Sequence, residues 1–145
     1  MQVTTEVNGD VALITMDDGK KNAITPGAYA DLNAAFDHAE SEAKAVVLAG
    51  REGAFCAGFD LATMTSGDVE AILEIARGGA EFALRLWSFP TPLVIACTGH
   101  AFTIGAIWLS CGDTRIGDRG PFKIGMNETR MGMTFTPWAL APLGY

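Results

Sequence analysis

Positive charge is scarce in this sequence: ten Lys and Arg stand against 17 Asp and Glu, for a formal net charge of −7, and no run of Lys or Arg occurs. That balance excludes a broad electrostatic footprint for nucleic acid or for an anionic membrane surface. An anionic ligand would have to be met by local donors. The three cysteines, Cys56, Cys97 and Cys111, form no CxxC pair and no Cys/His cluster, so neither a disulfide framework nor a metal site is expected. A reducing, cytoplasmic compartment fits this usage. The opening MQVTTEVNGD lacks the basic and apolar regions of a secretory signal, and GxSxG, HExxH, Walker and GxGxxG patterns are all missing. One uncharged tract, Leu93 to Cys111, is long enough to raise a membrane span. It follows Pro92 and is broken by Gly99, His100 and Gly105, so it reads as strand, loop and buried helix.

What the chain has in quantity is apolar residues, 49% of 145 positions, enough for one packed domain. Gln2 to Val7 and Val11 to Met16 flank Asn8-Gly9-Asp10, which predicts an antiparallel hairpin with Asn-Gly supplying positive φ. Thr25 and Pro26 have the form of an N-cap and first helical position, with Ala28, Leu32, Ala35, Phe36 and Ala39 following at helical spacing. Ala45 to Ala49 is a short apolar run of the kind buried on both faces of a parallel sheet. The stretch GREGAFCAG (50–58) reads as a loop. From Asp68 to about Ser88 a long helix is predicted, with Val69, Ile72, Leu73, Ala76, Ala80, Ala83, Leu84 and Trp87 on one apolar face and Gly78-Gly79 weakening its middle. Pro90 and Pro92 stop it, and Leu93 to Cys97 is the next buried strand. A second loop, TGHAFTIG (98–105), leads to a short apolar helix from about Ala106 and a strand at Thr114 to Gly117. The order implies an α/β fold with a mainly parallel sheet and helices outside. Trp87, Phe89 and Trp108 read as core, and His100 as a buried, hydrogen-bonded histidine. The uncharged tail from Met131 to Tyr145 carries Phe135, Trp138, Leu140 and Leu143 with no visible partner. Residues 1–145 are therefore expected to form an incomplete domain core.

Two strand-to-loop segments stand out, FCAGFDL (55–61) and TGHAFTIG (98–105). In each, glycine lets the main chain turn sharply and bring N–H groups close to a ligand. Taken alone, they read more readily as ordinary turns after buried strands. FCAGFDL resembles the first signature of the crotonase superfamily, specifically its enoyl-CoA hydratase/isomerase family, and TGHAFTIGAIWLSCGD (98–113) resembles the second. GPFKIGMNETRMGM (120–133) resembles the third, and NAI (22–24) is similar to a shorter element near the N-terminus. The matches come in family order and span nearly the whole chain.

This resemblance implies a crotonase-like spiral of ββα units whose C-terminal part is missing. It implies an enzyme of acyl-CoA thioesters that holds the thioester enolate with two peptide N–H groups, which by motif position belong to Phe59 and Ile104. The family usually has glycine where this sequence has Ile104. Its hydratases generally carry two acidic side chains. The third-motif glutamate is Glu128, whereas the other position is Ile107, which cannot transfer a proton, and Thr134-Phe-Thr-Pro replaces a Gly-rich run. A single glutamate suffices to move a proton between enolate carbons, so double-bond isomerisation is favoured. Desolvation in an apolar setting would suit Glu128 to that exchange. Without the resemblance, Glu128 reads as a surface carboxylate or a partner of Arg130. The CoA side of the ligand is assigned to Lys20, Lys21, Ala57, Asp60 and Leu61, although the lysines also read as solvated loop residues. Coenzyme A enters as part of the substrate, with no separate cofactor. A full-length chain is expected to form homotrimers or hexamers. Hydration, acyl-CoA hydrolysis and a non-catalytic acyl-CoA-binding fragment are the alternatives, because a fold does not choose its chemistry.

Overall fold

The computed structural model describes residues 1–132, 134–135 and 137–144, with only the backbone of Arg130, Met131 and Leu143. Alternating residues at the N-terminus pair as β1 (Gln2–Asn8) and β2 (Val11–Asp17), antiparallel, with Asn8 opposite Val11. The tip is Gly9-Asp10, and the positive φ (+59°) falls on Gly9 rather than Asn8. A short β3 (Ala23–Ile24) precedes α1 (Ala28–Glu42). This helix starts later than Thr25-Pro26 suggests. The Thr25 carbonyl accepts from Ala28 N–H at 3.0 Å and closes a separate turn, so the N-cap is Gly27, without a side-chain cap.

Next come β4 (Ala45–Ala49), β5 (Gly53–Cys56), β6 (Gly58–Phe59), the short α2 (Leu61–Met64) and α3 (Val69–Trp87). Asp68 caps α3, its carboxylate accepting from Glu70 and Ala71 N–H at 3.1 Å each. Then follow β7 (Leu93–Cys97), β8 (Gly99–Phe102), α4 (Ile104–Cys111), β9 (Thr114–Gly117) and β10 (Ile124–Gly125). A 3-10 turn (Glu128–Met131), α5 (Pro137–Leu140) and a second 3-10 turn (Ala141–Gly144) complete the chain.

The topology is a spiral. One sheet has the order β1-β2-β4-β7-β9, parallel after the first pair, and a second has the order β10-β8-β5, also parallel. Each turn lays a strand in the large sheet and one or two short strands in the smaller sheets (β10-β8-β5 or β3-β6), and the first three turns then cross back through a helix. That repeat is the ββα unit of an α/β spiral. The two stretches expected to be loops carry β5, β6 and β8. Each is too short and glycine-rich to show a period of two, and its ladder exists only because successive turns of the spiral stack.

Helix α3 turns a different face inward than its apolar spacing suggests. Ile75, Gly79, Phe82, Ala83 and Leu86 are buried, whereas Leu73 and Leu84 are 63% and 66% exposed and Trp87 46%. Trp87 is thus not core. The Gly78-Gly79 pair marks a close approach: a Cβ on Gly78 would lie 2.5 Å from two ring carbons of Tyr29, and one on Gly79 would lie 3.0 Å from the Phe59 ring. Trp108 is fully buried and meets Phe82 edge-on at 4.9 Å, and Phe82 meets Phe36 at 5.4 Å, linking α4, α3 and α1. Phe89 is half-buried against Phe36 at 5.1 Å. In the tail Ala139 is buried, while Trp138 and Leu140 are exposed; the Leu143 side chain lies outside the described residues. A groove of about 480 Å³ runs between Leu84, Trp87, Trp138 and Pro142. Among the described residues no helix is long and apolar enough to cross a membrane, and Leu93 to Cys111 divides into β7, β8 and α4.

Candidate active site

Asp60 N–H donates to the Ile24 carbonyl at 2.8 Å, tying the end of β6 to β3. Successive N–H groups of an extended strand point to opposite sides, so Phe59 N–H faces away from β3. Its ring lies on Gly79 of α3, which holds the peptide from behind. Ile104 is the first residue of α4, one residue pair earlier than its sequence suggests. Ile107 N–H makes the bond to Thr103 O at 3.1 Å that opens the helical ladder. The N–H groups of Ile104, Gly105 and Ala106 therefore have no acceptor within the helix, and no side chain caps it. The positive end of the helix dipole is directed out of the same terminus.

Two glycines let these elements meet. A side chain on Gly58 (φ +100°) would collide with Thr103 Oγ1, and a Cβ on Gly105 would lie 2.6 Å from Cys56 Cβ. Phe59 and Ile104 each follow directly on the contacting residues Gly58 and Thr103, so the fold brings their peptides into one neighbourhood. Burial pushes the Cys56 thiol up to about 12, so at neutral pH it is a protonated, apolar filler.

The strand β10 joins the same place. Thr103 N–H donates to Gly125 O at 3.1 Å, and Glu128 follows three residues later, within about 11 Å of chain. Its Oε2 is closed off from solvent and has no hydrogen-bond partner among the described residues. Such an orphan is unusual, because buried carboxylate oxygens are ordinarily paired. A pairing with the Arg130 side chain lies outside the described residues. Ile107, one turn into α4, is 3% exposed and packs in the core.

A family model described as Enoyl-CoA hydratase/isomerase matches residues 6–143. The chain belongs to the enoyl-CoA hydratase/isomerase family. It is 30% identical over 102 residues to a Rhodobacter capsulatus protein named "Probable enoyl-CoA hydratase", covering 70% of this chain and 40% of that one. Among solved structures it is similar to the apo enoyl-CoA isomerase of Mycobacterium tuberculosis, with 42% identity, a TM-score of 0.91 and coverage of 98% of this chain and 62% of that one. The human mitochondrial delta3-delta2-enoyl-CoA isomerase is similar at 25% identity, with a TM-score of 0.90 and coverage of 99% and 58%. The chain spans about half the length of the curated relatives it matches. The fold is the crotonase fold of these structures, over the part that they share.

Of the positions assigned to CoA by likeness to this enoyl-CoA hydratase/isomerase family, the structure joins two directly: Ala57 N–H donates to Lys21 O at 3.0 Å. Both lysines are exposed on a turn, with no side-chain partner among the described residues, and Arg51 approaches that turn, donating to Lys20 O at 2.7 Å. Asp18 shapes that turn by accepting from Lys20 N–H at 2.7 Å and Ala23 N–H at 3.1 Å. Asp60 is engaged otherwise: its carboxylate caps α2, accepting from Thr63 N–H and Oγ1 at 2.8 and 2.9 Å. Leu61 is exposed beside it. His100 is half-buried; its Nδ1 accepts from Lys123 N–H at 2.9 Å and its ring stacks on Phe102, which is a structural role.

Sequence reasoning missed two residues. Asn22 is fully buried at φ +56°; its amide donates to the carbonyls of Met16 (2.9 Å), Ala54 (3.2 Å) and Phe55 (3.1 Å), and its Oδ1 accepts from Asp18 N–H at 2.9 Å. It ties β2 to β5 beneath the Lys20-Lys21 turn. A lone Asn in a short motif gave no hint of those distant partners. Thr103 is the other, at φ +50°, a region that a β-branched residue rarely enters.

Proposed function

We propose that the protein carrying this sequence isomerises the double bond of enoyl-CoA thioesters. In this reading Phe59 and Ile104 N–H groups donate to the thioester oxygen. Binding the oxygen acidifies the adjacent carbon of a 3-enoyl-CoA, and the Glu128 carboxylate takes the proton from C2. The electron pair left behind delocalises onto the oxygen as an enolate, where fixed peptide dipoles meet it without reorganising. Returning the proton to C4 moves the double bond from C3–C4 to C2–C3 and regenerates the carboxylate. No water is consumed.

The observation that carries this reading is the pairing of one unsatisfied acid with one absent acid. Among the described residues Glu128 Oε2 is buried without a hydrogen-bond partner, while the second position is held by Ile107, which is buried in the core and cannot transfer a proton. Lys20 and Lys21 are suited to meet CoA phosphates as mobile point charges, with Ala57, Asp60 and Leu61 along the nucleotide side. Assembly of copies belongs to the same reading, supported by the exposed apolar face of α3 and α5.

The test compares isomerisation of a 3-enoyl-CoA with hydration of a 2-enoyl-CoA. The parent should favour isomerisation. Glu128→Gln should keep its Kd for acyl-CoA and lose roughly 10² to 10⁴ in kcat, the usual contribution of a general acid/base. An unchanged rate removes Glu128 from the chemistry, and dominant hydration by the parent removes the argument from Ile107.

A further inference from the structure

Thr103 contradicts the ordinary habits of its residue type twice. Its backbone lies at φ +50°, ψ −117°, which costs a β-branched residue energy unless the surroundings hold it there. They do: its N–H donates to Gly125 O and its carbonyl accepts from Ile107 N–H, both at 3.1 Å. It also occupies the N-cap of α4, where a Thr hydroxyl normally accepts from the second or third helical N–H, yet it makes no such bond. Its Oγ1 is closed off from solvent and has no hydrogen-bond partner among the described residues. The side chain instead fills the place where Gly58 has none, with its Cβ 3.3 Å from where a Gly58 Cβ would stand. The strained backbone thus turns the hydroxyl away from the helix terminus and onto β6.

We propose that Thr103 is a positioning residue, a spacer that sets the separation of β6 from the N-terminus of α4 and so the distance between Phe59 and Ile104 N–H groups. This rests on the functional reading above. A solvent-inaccessible Oγ1 cannot be reached by a ligand oxygen of the same size as water, so the hydroxyl is not a third donor. Volume is what counts, and the positive φ keeps α4 uncapped for the ligand.

The experiment uses trans-3-hexenoyl-CoA turnover, the infrared carbonyl stretch of a bound acyl-CoA isotopically labelled in the thioester, and melting temperature. Thr103→Gly suits the backbone but removes the spacer; Thr103→Ala keeps only Cβ and decides the matter if the Gly variant folds poorly. Both should lower kcat roughly tenfold to a hundredfold, as misplacement of donors by about 1 Å does, with KM within about twofold and a smaller carbonyl shift on binding. Thr103→Val, which replaces a buried, unpartnered hydroxyl by a methyl of like size and keeps the β-branch, should restore kcat to within about threefold of the parent. Parental kcat and carbonyl shift in the Gly and Ala variants overturn the spacer. A Val variant as impaired as Gly also overturns it, making the hydroxyl essential. Glu128→Gln in the same assay separates the two claims: if it retains the parental rate, the functional reading fails, and if only it loses rate while Thr103→Gly does not, the spacer alone fails. If the parent does not turn over, the carbonyl shift still reports whether the donor pair engages the thioester, and absence of any shift overturns both.

Discussion

Replacing Asn22 by alanine should cost more stability than any surface argument suggests. The side chain is fully buried and satisfies three carbonyls and one N–H that belong to β2, β5 and the turn between β2 and β3. Two amide hydrogens and one oxygen amount to about three full hydrogen bonds, each worth about 1 kcal/mol net, and the carbonyls left behind gain no water in exchange. Alanine at φ +56° adds about 1 kcal/mol, since Asn tolerates the left-handed region and Ala does not. The sum is about 4 kcal/mol, or a fall of about 12 °C in Tm for a domain of this size. Asn22→Gly keeps the backbone conformation and should lose about 3 kcal/mol, isolating the hydrogen bonds. Asn22→Asp should be at least as damaging as Ala, because a carboxylate would face carbonyl oxygens. Urea and thermal unfolding followed by circular dichroism measure all three. An Ala variant melting within about 3 °C of the parent would refute the claim that Asn22 staples the two layers.

Asp18 should make stability fall in acid. Burial pushes its carboxyl up, but main-chain N–H groups of Asn22, Lys20 and Ala23 together outweigh that and hold it below its ordinary value of 3.8. Its folded-state pKa is therefore the lower one, so its contribution is fully present above the unfolded value and is lost as pH falls through the folded value. Asp18→Asn should lower the urea midpoint at neutral pH, with the gap to the parent closing as pH falls below the ordinary carboxyl value of 3.8 and through the lower folded-state value; a gap constant with pH would sink this. Gly78→Ala gains about 1 kcal/mol in helix propensity, yet the new Cβ would lie 2.5 Å from the ring of Tyr29, whose hydroxyl is anchored on Ile75 O at 2.7 Å. Its Tm should drop, and a rise would show that the ring can move aside.

Much of the fold is legible along the chain because the relevant physics is local or periodic. The hairpin, the apolar strands Ala45–Ala49 and Leu93–Cys97, and the limits of the Asp68-capped helix all follow from spacing and end signals. The family motifs give the order along the chain of Phe59, Ile104 and Glu128, the residues proposed as donors and acid, but not what surrounds them. Asn22 and Thr103 are opaque in sequence, since what makes each of them matter, a set of carbonyls up to 33 residues away and a missing side chain at Gly58, is assembled by the spiral.

Helix α3 separates the two kinds of information. Its sequence determines a helix with apolar residues over most of its circumference, because helical period and capping are properties of neighbouring residues. Which side faces inward is decided only when Tyr29 and Phe59 close onto Gly78 and Gly79, for rings of that size need a surface without side chains. That choice buries Ile75, Phe82 and Leu86 and leaves Leu73, Leu84 and Trp87 exposed. Hydrophobicity is non-directional and favours either face; shape complementarity, which exists only between elements already brought together, selects one.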